Sequence, residues 1–287
     1  MNTNKKTINQ HSKAIFFVIL EAFCFSLMSF FVKLSGDLPT MQKAFFRNIV
    51  AAVMSIVILS RTPEKFHIKK ETSLDVLMRC IFGSMGLFLN FWAIDHLNLA
   101  DANILNKMSP FFAIIMSIFI LKEVPSFFEI MCLIAAFTGV AFVVKPSAGI
   151  QSLPALIALL GGFGAGTAYT FLRKATTRGE RGPLIVMCFS VFSTIISLPF
   201  LILDFHSMSI RQLLCLIAAG TAAAFAQLAI TKAYSLAPAK EISVFDYTQV
   251  LFASLWGILF FGELPDLLSI TGYIIIIGTA IIKWKIK

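Results

Sequence analysis

The chain has 287 residues, of which 58% are hydrophobic and 14% are charged, and its mean hydropathy is +0.86. These values lie far outside the averages of soluble domains and predict an integral membrane protein embedded in the lipid bilayer. The formal net charge of +9 does not indicate nucleic-acid binding, because the basic residues are divided among many short segments and no soluble domain is expected to carry a basic patch.

Ten apolar runs follow one another along the chain, each close to the roughly 20 helical residues that a hydrocarbon core of about 30 Å requires. In the first half the predicted spans are 14–34, 43–60, 76–95, 101–121 and 126–145. In the second half they are 153–173, 184–204, 211–234, 243–261 and 266–284. Because no small-residue cleavage site follows the first run, we expect an uncleaved first span rather than a signal peptide. The prediction is an all-α integral membrane protein with ten transmembrane helices.

The distribution of Lys and Arg predicts the orientation of these spans. With the N-terminus inside, 16 of the 24 basic residues lie on inner segments, four lie on outer segments and four lie within or at the edges of spans. The positive-inside rule therefore predicts that both termini are cytoplasmic. We expect a multi-pass protein of the inner (cytoplasmic) membrane.

The two halves of the chain repeat each other at a fixed offset of 140 residues, without a gap. Identical residues at this offset include the pairs Ala93 and Ala233, Phe112 and Phe252, Glu123 and Glu263, and Pro125 and Pro265. Because each half holds an odd number of spans, the second repeat must be inverted relative to the first, and inverted repeats with a site between them are a recurring transporter design. We predict a cytoplasmic tail, two five-helix repeats and a C-terminal tail, at 1–13, 14–145, 146–284 and 285–287.

The fourth and ninth spans close with the same short motif, Glu123-Val-Pro-Ser and Glu263-Leu-Pro-Asp. We expect each Pro to stop the preceding helix and Ser126 or Asp266 to cap the next one, with Glu129 completing a capping box in the first half. A Glu in the last turn of a helix opposes the helix dipole. An ion pair to a neighbouring loop is the preferred explanation for it, and a gate contact is the alternative.

With this motif the chain resembles the drug/metabolite transporter superfamily, specifically its EamA type, in which the fourth helix of each repeat ends in Glu-x-Pro. The resemblance covers about residues 13–284 and extends to Phe-Phe-Arg47-Asn, Leu99-Ala-Asp-Ala, Leu236-Ala-Pro-Ala and Phe245-Asp-Tyr-Thr-Gln. It implies ten helices in two five-helix repeats around a central cavity. It also implies a secondary transporter of amino acids, nucleotide-like metabolites or other small solutes, working by alternating access. The seventh span departs from the family pattern, because it has no counterpart of Arg47.

Ionisable residues inside the spans are candidates for function, because a charge near the bilayer centre costs at least about 2.5 to 3.5 kcal/mol on insertion scales. The sequence places the acids Glu21 and Asp246 toward the inner side and the bases Arg47 and Lys107 toward the outer side, with Lys232 as one inner base. Glu21 is either neutralised, by Lys232 or by protonation, or it is a proton-coupling or cation-binding group. For Arg47, snorkelling to the outer headgroups is preferred over binding of a substrate carboxylate. Lys107 is expected to be functional.

Polar and small residues at helical spacing predict a site between the repeats. The fourth and ninth spans carry equivalent faces that we expect to meet near the pseudo-twofold axis: Asn103, Asn106 and Pro110 on one, Ser243, Asp246 and Val250 on the other. Gly162 and Gly166 predict a helix-packing seam rather than a phosphate loop, since no Lys-Ser/Thr follows them. The expected cavity suits a small zwitterion with an aromatic or apolar part. Its predicted lining is Glu21, Asn90, Trp92, Asn106, Lys107, Tyr169, Gln227, Asp246, Tyr247 and Gln249.

Two other function classes compete with transport. An intramembrane enzyme acting on lipid would need convergent titratable groups near the headgroups, and Asp95-His96 is the only candidate. A non-transporting membrane scaffold would need a partner-facing domain, and none is expected. The Cys and His residues show no metal-ligand or nucleophile spacing, so we expect no catalytic residue, metal or cofactor. The expected partners are a small-molecule substrate, the bilayer and protons as coupling ion, with the chain a monomer or a weak dimer.

Overall fold

The computed structural model describes residues 2–97, 104–145, 152–262 and 264–286, and within these it describes all side chains except those of 2–9, 91, 94, 95 and 152. Regular secondary structure in this part of the chain is helical throughout. The helices are α1 (Asn2–Leu34), α2 (Thr40–Ser60), α3 (Ser73–His96), α4 (Ser109–Leu121), α5 (Phe127–Val144), α6 (Ser152–Thr177), α7 (Gly182–Leu203), α8 (Ile210–Leu236), α9 (Ala239–Asp246), α10 (Thr248–Phe261) and α11 (Leu267–Lys285).

Ten segments of the described chain are long and apolar enough to cross a membrane, as the sequence predicts. Eight correspond to single helices. The other two are broken: residues 104–106 are helical and precede α4 in the fourth span, and α9 and α10 together form the ninth. The predicted N-terminal tail is helical and continues into the first span, so α1 begins at Asn2.

The packing of the helices follows the inverted repeat. α3 packs along α6, and α1 packs along α8. Because α1 and α6 are repeat mates, as are α3 and α8, these two packed pairs are equivalent in the repeat. α2 packs against α7 and α5 against α11, so these helices pair with their own repeat mates. Five spans in each half invert the second repeat relative to the first, and the buried core lies between the two repeats.

Small residues bring α6 close to its two neighbours. A Cβ atom added at Gly86 of α3 would lie 2.7 Å from the backbone nitrogen of Ala165. A Cβ atom at Gly166 would lie 2.5 Å from the carbonyl oxygen of Ser109, at the start of α4. The seam predicted at Gly162 and Gly166 therefore faces the fourth span, and the backbones approach as small-residue packing in membranes allows.

The breaks in the fourth and ninth spans fall at equivalent places in the two repeats. The fourth span is interrupted at Lys107 and Met108, and the ninth at Tyr247, which lies 140 residues after Lys107. The residues at the two breaks are also in contact, because the Tyr247 hydroxyl donates to the carbonyl oxygen of Lys107 at 3.2 Å. Broken helices in transporters supply binding sites near the middle of the membrane, so this contact marks where to look for the site.

The Glu-x-Pro segments end their helices differently from the prediction. α4 ends at Leu121 and α10 at Phe261, before either proline, because Lys122 and Gly262 adopt left-handed backbone conformations with φ of 59° and 68°. Glu123 therefore follows its helix instead of occupying the last turn, and Glu263 lies outside the described residues.

The predicted caps are confirmed. Ser126 and Glu129 form a complete capping box at the start of α5. Asp266 accepts from the backbone nitrogen of Ser269 at the start of α11.

Ion pairs hold both ends of the antiparallel pair α5 and α11. Lys145 Nζ lies 2.7 Å from Asp266 Oδ2 at one end, and Lys283 Nζ lies 3.3 Å from Glu129 Oε1 at the other. Hydrogen bonds from Lys145 and from Ser269 lower the pKa of Asp266 to about 2. Asp266 therefore stays ionised and keeps both its capping and its pairing role over the whole physiological pH range.

Candidate functional site

A cavity of about 260 Å³ lies between the two repeats, bordered by the break in the fourth span. Residues of α1, α2, α3, α6, α7, α8, α9 and α10 also line it. Eight of the ten residues predicted from the sequence are among them: Glu21, Asn90, Asn106, Lys107, Tyr169, Gln227, Asp246 and Gln249. The polar faces of the fourth and ninth spans thus meet, although Asn103 lies outside the described residues.

The structure places the other two predicted residues outside this lining. Trp92 stacks on His96 with ring centroids 3.8 Å apart, because it lies two positions beyond Asn90 and so points to a different face of α3. Tyr247 is fully buried and packs near Phe137, with 6.3 Å between ring centroids. Its hydroxyl group connects the two broken spans through the hydrogen bond to the Lys107 carbonyl oxygen.

An acidic cluster with one lysine forms one part of the cavity. Lys107 Nζ lies 3.3 Å from Asp246 Oδ2 and 2.6 Å from Gln249 Oε1. Glu21 is 1% exposed, and its carboxyl group is within hydrogen-bonding range of the Asp246 carboxyl group. The breaks in the fourth and ninth spans thus supply Lys107 and Asp246, while α1 supplies Glu21.

This arrangement corrects two expectations. Lys232 is exposed on α8 and is not the partner of Glu21. The predicted layering of acids inside and bases outside also fails, because Lys107 and Asp246 are in direct contact. The sequence predicts the depth of each side chain from its position along a straight helix. The fourth and ninth spans are not straight, and their breaks bring these side chains together.

Two buried arginines form another part of the cavity. Arg79 of α3 donates from Nη2 to Gln227 Oε1 at 3.1 Å, and its guanidinium carbon lies 4.1 Å from the centroid of the Phe189 ring. Arg47 of α2 is only 8% exposed, and its guanidinium carbon lies 5.8 Å from the Phe25 ring. Arg47 therefore lines the cavity and does not snorkel to the headgroups.

Arg79 is a charged residue of this site that the sequence prediction missed. It lies at the edge of its predicted span, where a basic residue has an ordinary topological explanation. One signal was available, because Gly83 follows one helical turn later on the same face. A Cβ atom at Gly83 would lie 2.0 Å from Arg79 Nη1, so the glycine leaves the space that the guanidinium group occupies.

Tyr169, which also lines the cavity, belongs to an aromatic pair. Tyr169 stacks on Tyr234 with centroids 5.2 Å apart and an angle of 13° between the rings. Its ring lies 5.9 Å from the guanidinium carbon of Arg79. The cavity thus combines acidic, basic and aromatic surface, which can hold a molecule with charged groups and an apolar body.

Ion pairs tie the two repeats together at one end of the molecule. Asp75 of α3 lies 2.9 Å from Arg178 and 3.1 Å from Lys174, both near the end of α6. Arg173 Nε donates to Glu123 Oε1 at 3.0 Å, which supplies the ion pair expected for this Glu, with a helix rather than a loop. Further contacts join residues 61–72 to residues 178–181. We call all of these contacts together the ionic latch.

The loop contact within the ionic latch involves Glu180. Burial alone would raise the pKa of Glu180, but hydrogen bonds from Thr72 and from the backbone nitrogens of Arg181 and Lys69 lower it below its ordinary value. Arg181 Nε also lies 2.9 Å from Glu64 Oε2. Glu180 therefore stays ionised at neutral pH.

At the opposite end, where Lys145 pairs with Asp266, the contact between residues 35–42 and 206–212 uses neutral groups. Gln42 donates to the carbonyl oxygen of His206 and accepts from its backbone nitrogen, both at 2.9 Å. Gln212 donates to the carbonyl oxygen of Ser35 at 3.1 Å. These loop contacts resemble those of residues 61–72 with 178–181 in position and differ from them in charge.

Comparison with known proteins gives a consistent assignment. The model of the EamA-like transporter family matches residues 12–145 and 152–283. The chain is 30% identical to the pseudopaline exporter CntI of Pseudomonas aeruginosa, over 95% of this chain and 96% of that protein. It is 28% identical to solute carrier family 35 member G1 of Homo sapiens, over 94% and 79%, and 24% identical to a riboflavin transporter of Brucella anthropi, over 85% and 87%.

The fold is also found among solved structures. One crystal structure superposes with a TM-score of 0.78 at 15% sequence identity, covering 94% of this chain and 95% of the other. At this level of identity the match demonstrates a shared fold alone.

Proposed function

Because this chain belongs to the EamA-like transporter family, and is thus a multi-pass membrane transporter and not an enzyme, we propose that it is a secondary transporter of a small polar or zwitterionic metabolite. Amino acids and nucleotide-like solutes are the candidate classes. The observation that carries the proposal is the cavity between the inverted repeats, where acidic, basic and aromatic side chains converge at two broken spans. Such a site binds polar groups that the bilayer excludes.

The proposal includes the orientation of the protein in the membrane and the boundaries of the repeats that the sequence predicts. Both termini are cytoplasmic and the protein acts in the cytoplasmic membrane, as a monomer or a weak dimer, with repeats at 14–145 and 146–284. The basic residues of the ionic latch, Arg178 and Arg181 among them, then lie on the cytoplasmic side, in agreement with the positive-inside rule.

Alternating access would exchange the contacts at the two ends. The ionic latch closes the proposed cytoplasmic end in this conformation. Opening that end requires separation of the two repeats there, with a compensating approach at the other end around the Gln42 contact. The pseudo-twofold relation between the repeats provides an equivalent set of contacts that can close the other end.

Protons are the proposed coupling ion. Glu21 and Asp246 place two carboxyl groups side by side, with Lys107 as the adjacent cation. If both carboxyl groups were ionised, one negative charge of this cluster would be unbalanced, and a proton or a cationic group of the substrate would neutralise it. If the proton and the cationic group of the substrate replace each other at this cluster, proton movement is coupled directly to substrate movement.

The test is uptake into proteoliposomes containing the purified protein, screened over a labelled metabolite panel with and without a pH gradient. Two members of the panel, pseudopaline and riboflavin, are suggested by the names of the relatives. We expect at least one small polar compound to be accumulated, with a rate that responds to the gradient. Protein-free liposomes are the control. Failure of every compound to exceed that control, in both gradient directions, contradicts the proposal.

A further inference from the structure

The two arginines in the cavity are buried. Arg47 is 8% exposed and Arg79 is 3% exposed. Neither forms an ion pair with an acidic side chain of the described chain, and the Nε atom of each has no hydrogen-bond partner there. An unpaired charge inside a membrane protein is energetically unfavourable, which makes each one a candidate for function.

Other contacts hold these side chains in place without using up their hydrogen-bonding capacity. Gln227 accepts from only one nitrogen of Arg79, and the Phe189 ring covers one face of the guanidinium plane. Gly83 leaves room for the group, as described above. In the part of the chain that the structure describes, the Arg47 guanidinium group lies over the ring of Phe25 and makes no hydrogen bond. The two side chains are therefore preorganised and still have donors available for a ligand.

We propose that Arg47 and Arg79 form the binding site for a carboxylate group of the transported molecule. The planar guanidinium group presents parallel donors that match a carboxylate, and such charge-assisted pairs are the strongest hydrogen bonds available to a protein. The inference rests on the proposed transport function and assigns its specificity.

A carboxylate fits the rest of the cavity better than a phosphate does. The same 260 Å³ also contains Glu21 and Asp246, so a dianionic phosphate would lie close to two acidic groups and be repelled by them. A molecule with a carboxylate at one end and an ammonium group at the other complements both parts of the site. Tyr169 then packs against the apolar body between them.

The experiment measures ligand-induced thermal stabilisation of the purified protein in detergent. The probes are 4-(aminomethyl)benzoate, its matched amide 4-(aminomethyl)benzamide, and phenyl phosphate. We expect the carboxylate probe to bind at least about tenfold more tightly than the amide, as the loss of a charged hydrogen-bond partner predicts. Phenyl phosphate should bind more weakly than the carboxylate. Equal stabilisation by carboxylate and amide contradicts the proposal, and stronger stabilisation by phenyl phosphate reassigns the site to a phosphate group.

The variants Arg47→Gln and Arg79→Gln identify the residues responsible. Each should abolish the preference for the carboxylate, and Lys232→Gln, which removes an exposed cation, should retain it. If Arg79→Gln does not fold, Gly83→Ala offers a second route, because its Cβ atom displaces the Arg79 guanidinium group without removing the charge. A carboxylate preference that persists in the folded Arg47 and Arg79 variants overturns the assignment.

This binding assay is independent of transport. Arginine-dependent binding without uptake in proteoliposomes would leave the assignment intact and contradict the proposed function. Uptake that is unaffected in both arginine variants would leave the proposed function intact and contradict the assignment of the arginines.

Discussion

At the scale of single residues, the burial of Glu21 requires an explanation. The side chain is 1% exposed, and its Oε2 atom has no hydrogen-bond partner in the described chain. An apolar residue would fill the same space without removing a carboxyl group from water. Packing therefore does not account for an acid at this position, whereas the proposed proton exchange or cation binding would.

The variant Glu21→Gln keeps the shape of the side chain and removes its titratable proton. We expect normal expression and folding, with transport abolished or made independent of pH. Transport in proteoliposomes at several pH values is the measurement. If Glu21→Gln transports with unchanged pH dependence while Glu21→Ala unfolds, the residue is structural and the coupling hypothesis fails.

The ion pair between Lys107 and Asp246 gives a second prediction at this scale. Lys107→Gln leaves two neighbouring carboxyl groups without their cation and should lower stability by about 2 kcal/mol, less than the 3–5 kcal/mol of a fully buried pair because both side chains keep some exposure. The double variant Lys107→Gln with Asp246→Asn should recover most of the loss. Melting temperatures of the three variants test this, and additive effects in the double variant would contradict it.

Part of this site could be predicted from the sequence. Glu21, Lys107 and Asp246 stand out because charges are rare inside apolar runs. The sequence also singles out Arg47 but favours snorkelling to the headgroups over carboxylate binding, because depth along a helix does not reveal the direction of a side chain. The rotation of each helix depends on its packing partners, which hydropathy alone does not specify.

At the scale of helices, the breaks at Lys107 and Tyr247 determine the site. The sequence predicted two continuous spans here. Pro110 was a signal of the first break, since proline favours the first turn of a helix. The ninth span carries no proline or glycine near Tyr247, so its break is visible only through the equivalence of the two repeats.

The glycine seam of α6 gives a prediction at this scale. Gly166→Ala places a Cβ atom 2.5 Å from the Ser109 carbonyl oxygen and 2.6 Å from the Ala113 nitrogen. Because backbone atoms cannot move aside as flexible side chains do, we expect a loss of about 1–3 kcal/mol, typical of overpacking. Gly278→Ala is the matched control, since nothing lies within 4 Å of its added Cβ. Equal melting temperatures for the two variants would refute this account of the seam.

At the scale of the whole molecule, the two repeats share a backbone plan and differ in charge. The inverted architecture was predictable, because ten apolar runs and an ungapped offset are visible in the sequence. The positions equivalent to Glu21 and Arg47 are Gly161 and Met187, so the polar cavity is asymmetric. This asymmetry allows one substrate orientation to be preferred within a symmetric scaffold.

The ionic latch gives a prediction for the conformational equilibrium. Asp75→Asn removes the carboxylate that pairs with Arg178 and Lys174, so this end of the molecule should open more often. Spin labels at Phe66 and Thr177, both exposed, should report a longer or broader distance distribution than in the wild type. Gln42→Leu, at the opposite end, should not lengthen this distance. An unchanged distribution in Asp75→Asn would show that the latch does not control opening.

The central claim is that substrate passes through the cavity between the repeats, and blocking that cavity tests it most directly. Ser29 lines the cavity, whereas Ile274 of α11 is 66% exposed on the outer surface of the bundle. For any compound that the wild type transports in proteoliposomes, we predict that Ser29→Trp abolishes uptake and that Ile274→Trp preserves it. Uptake at the wild-type rate by folded Ser29→Trp would contradict the account.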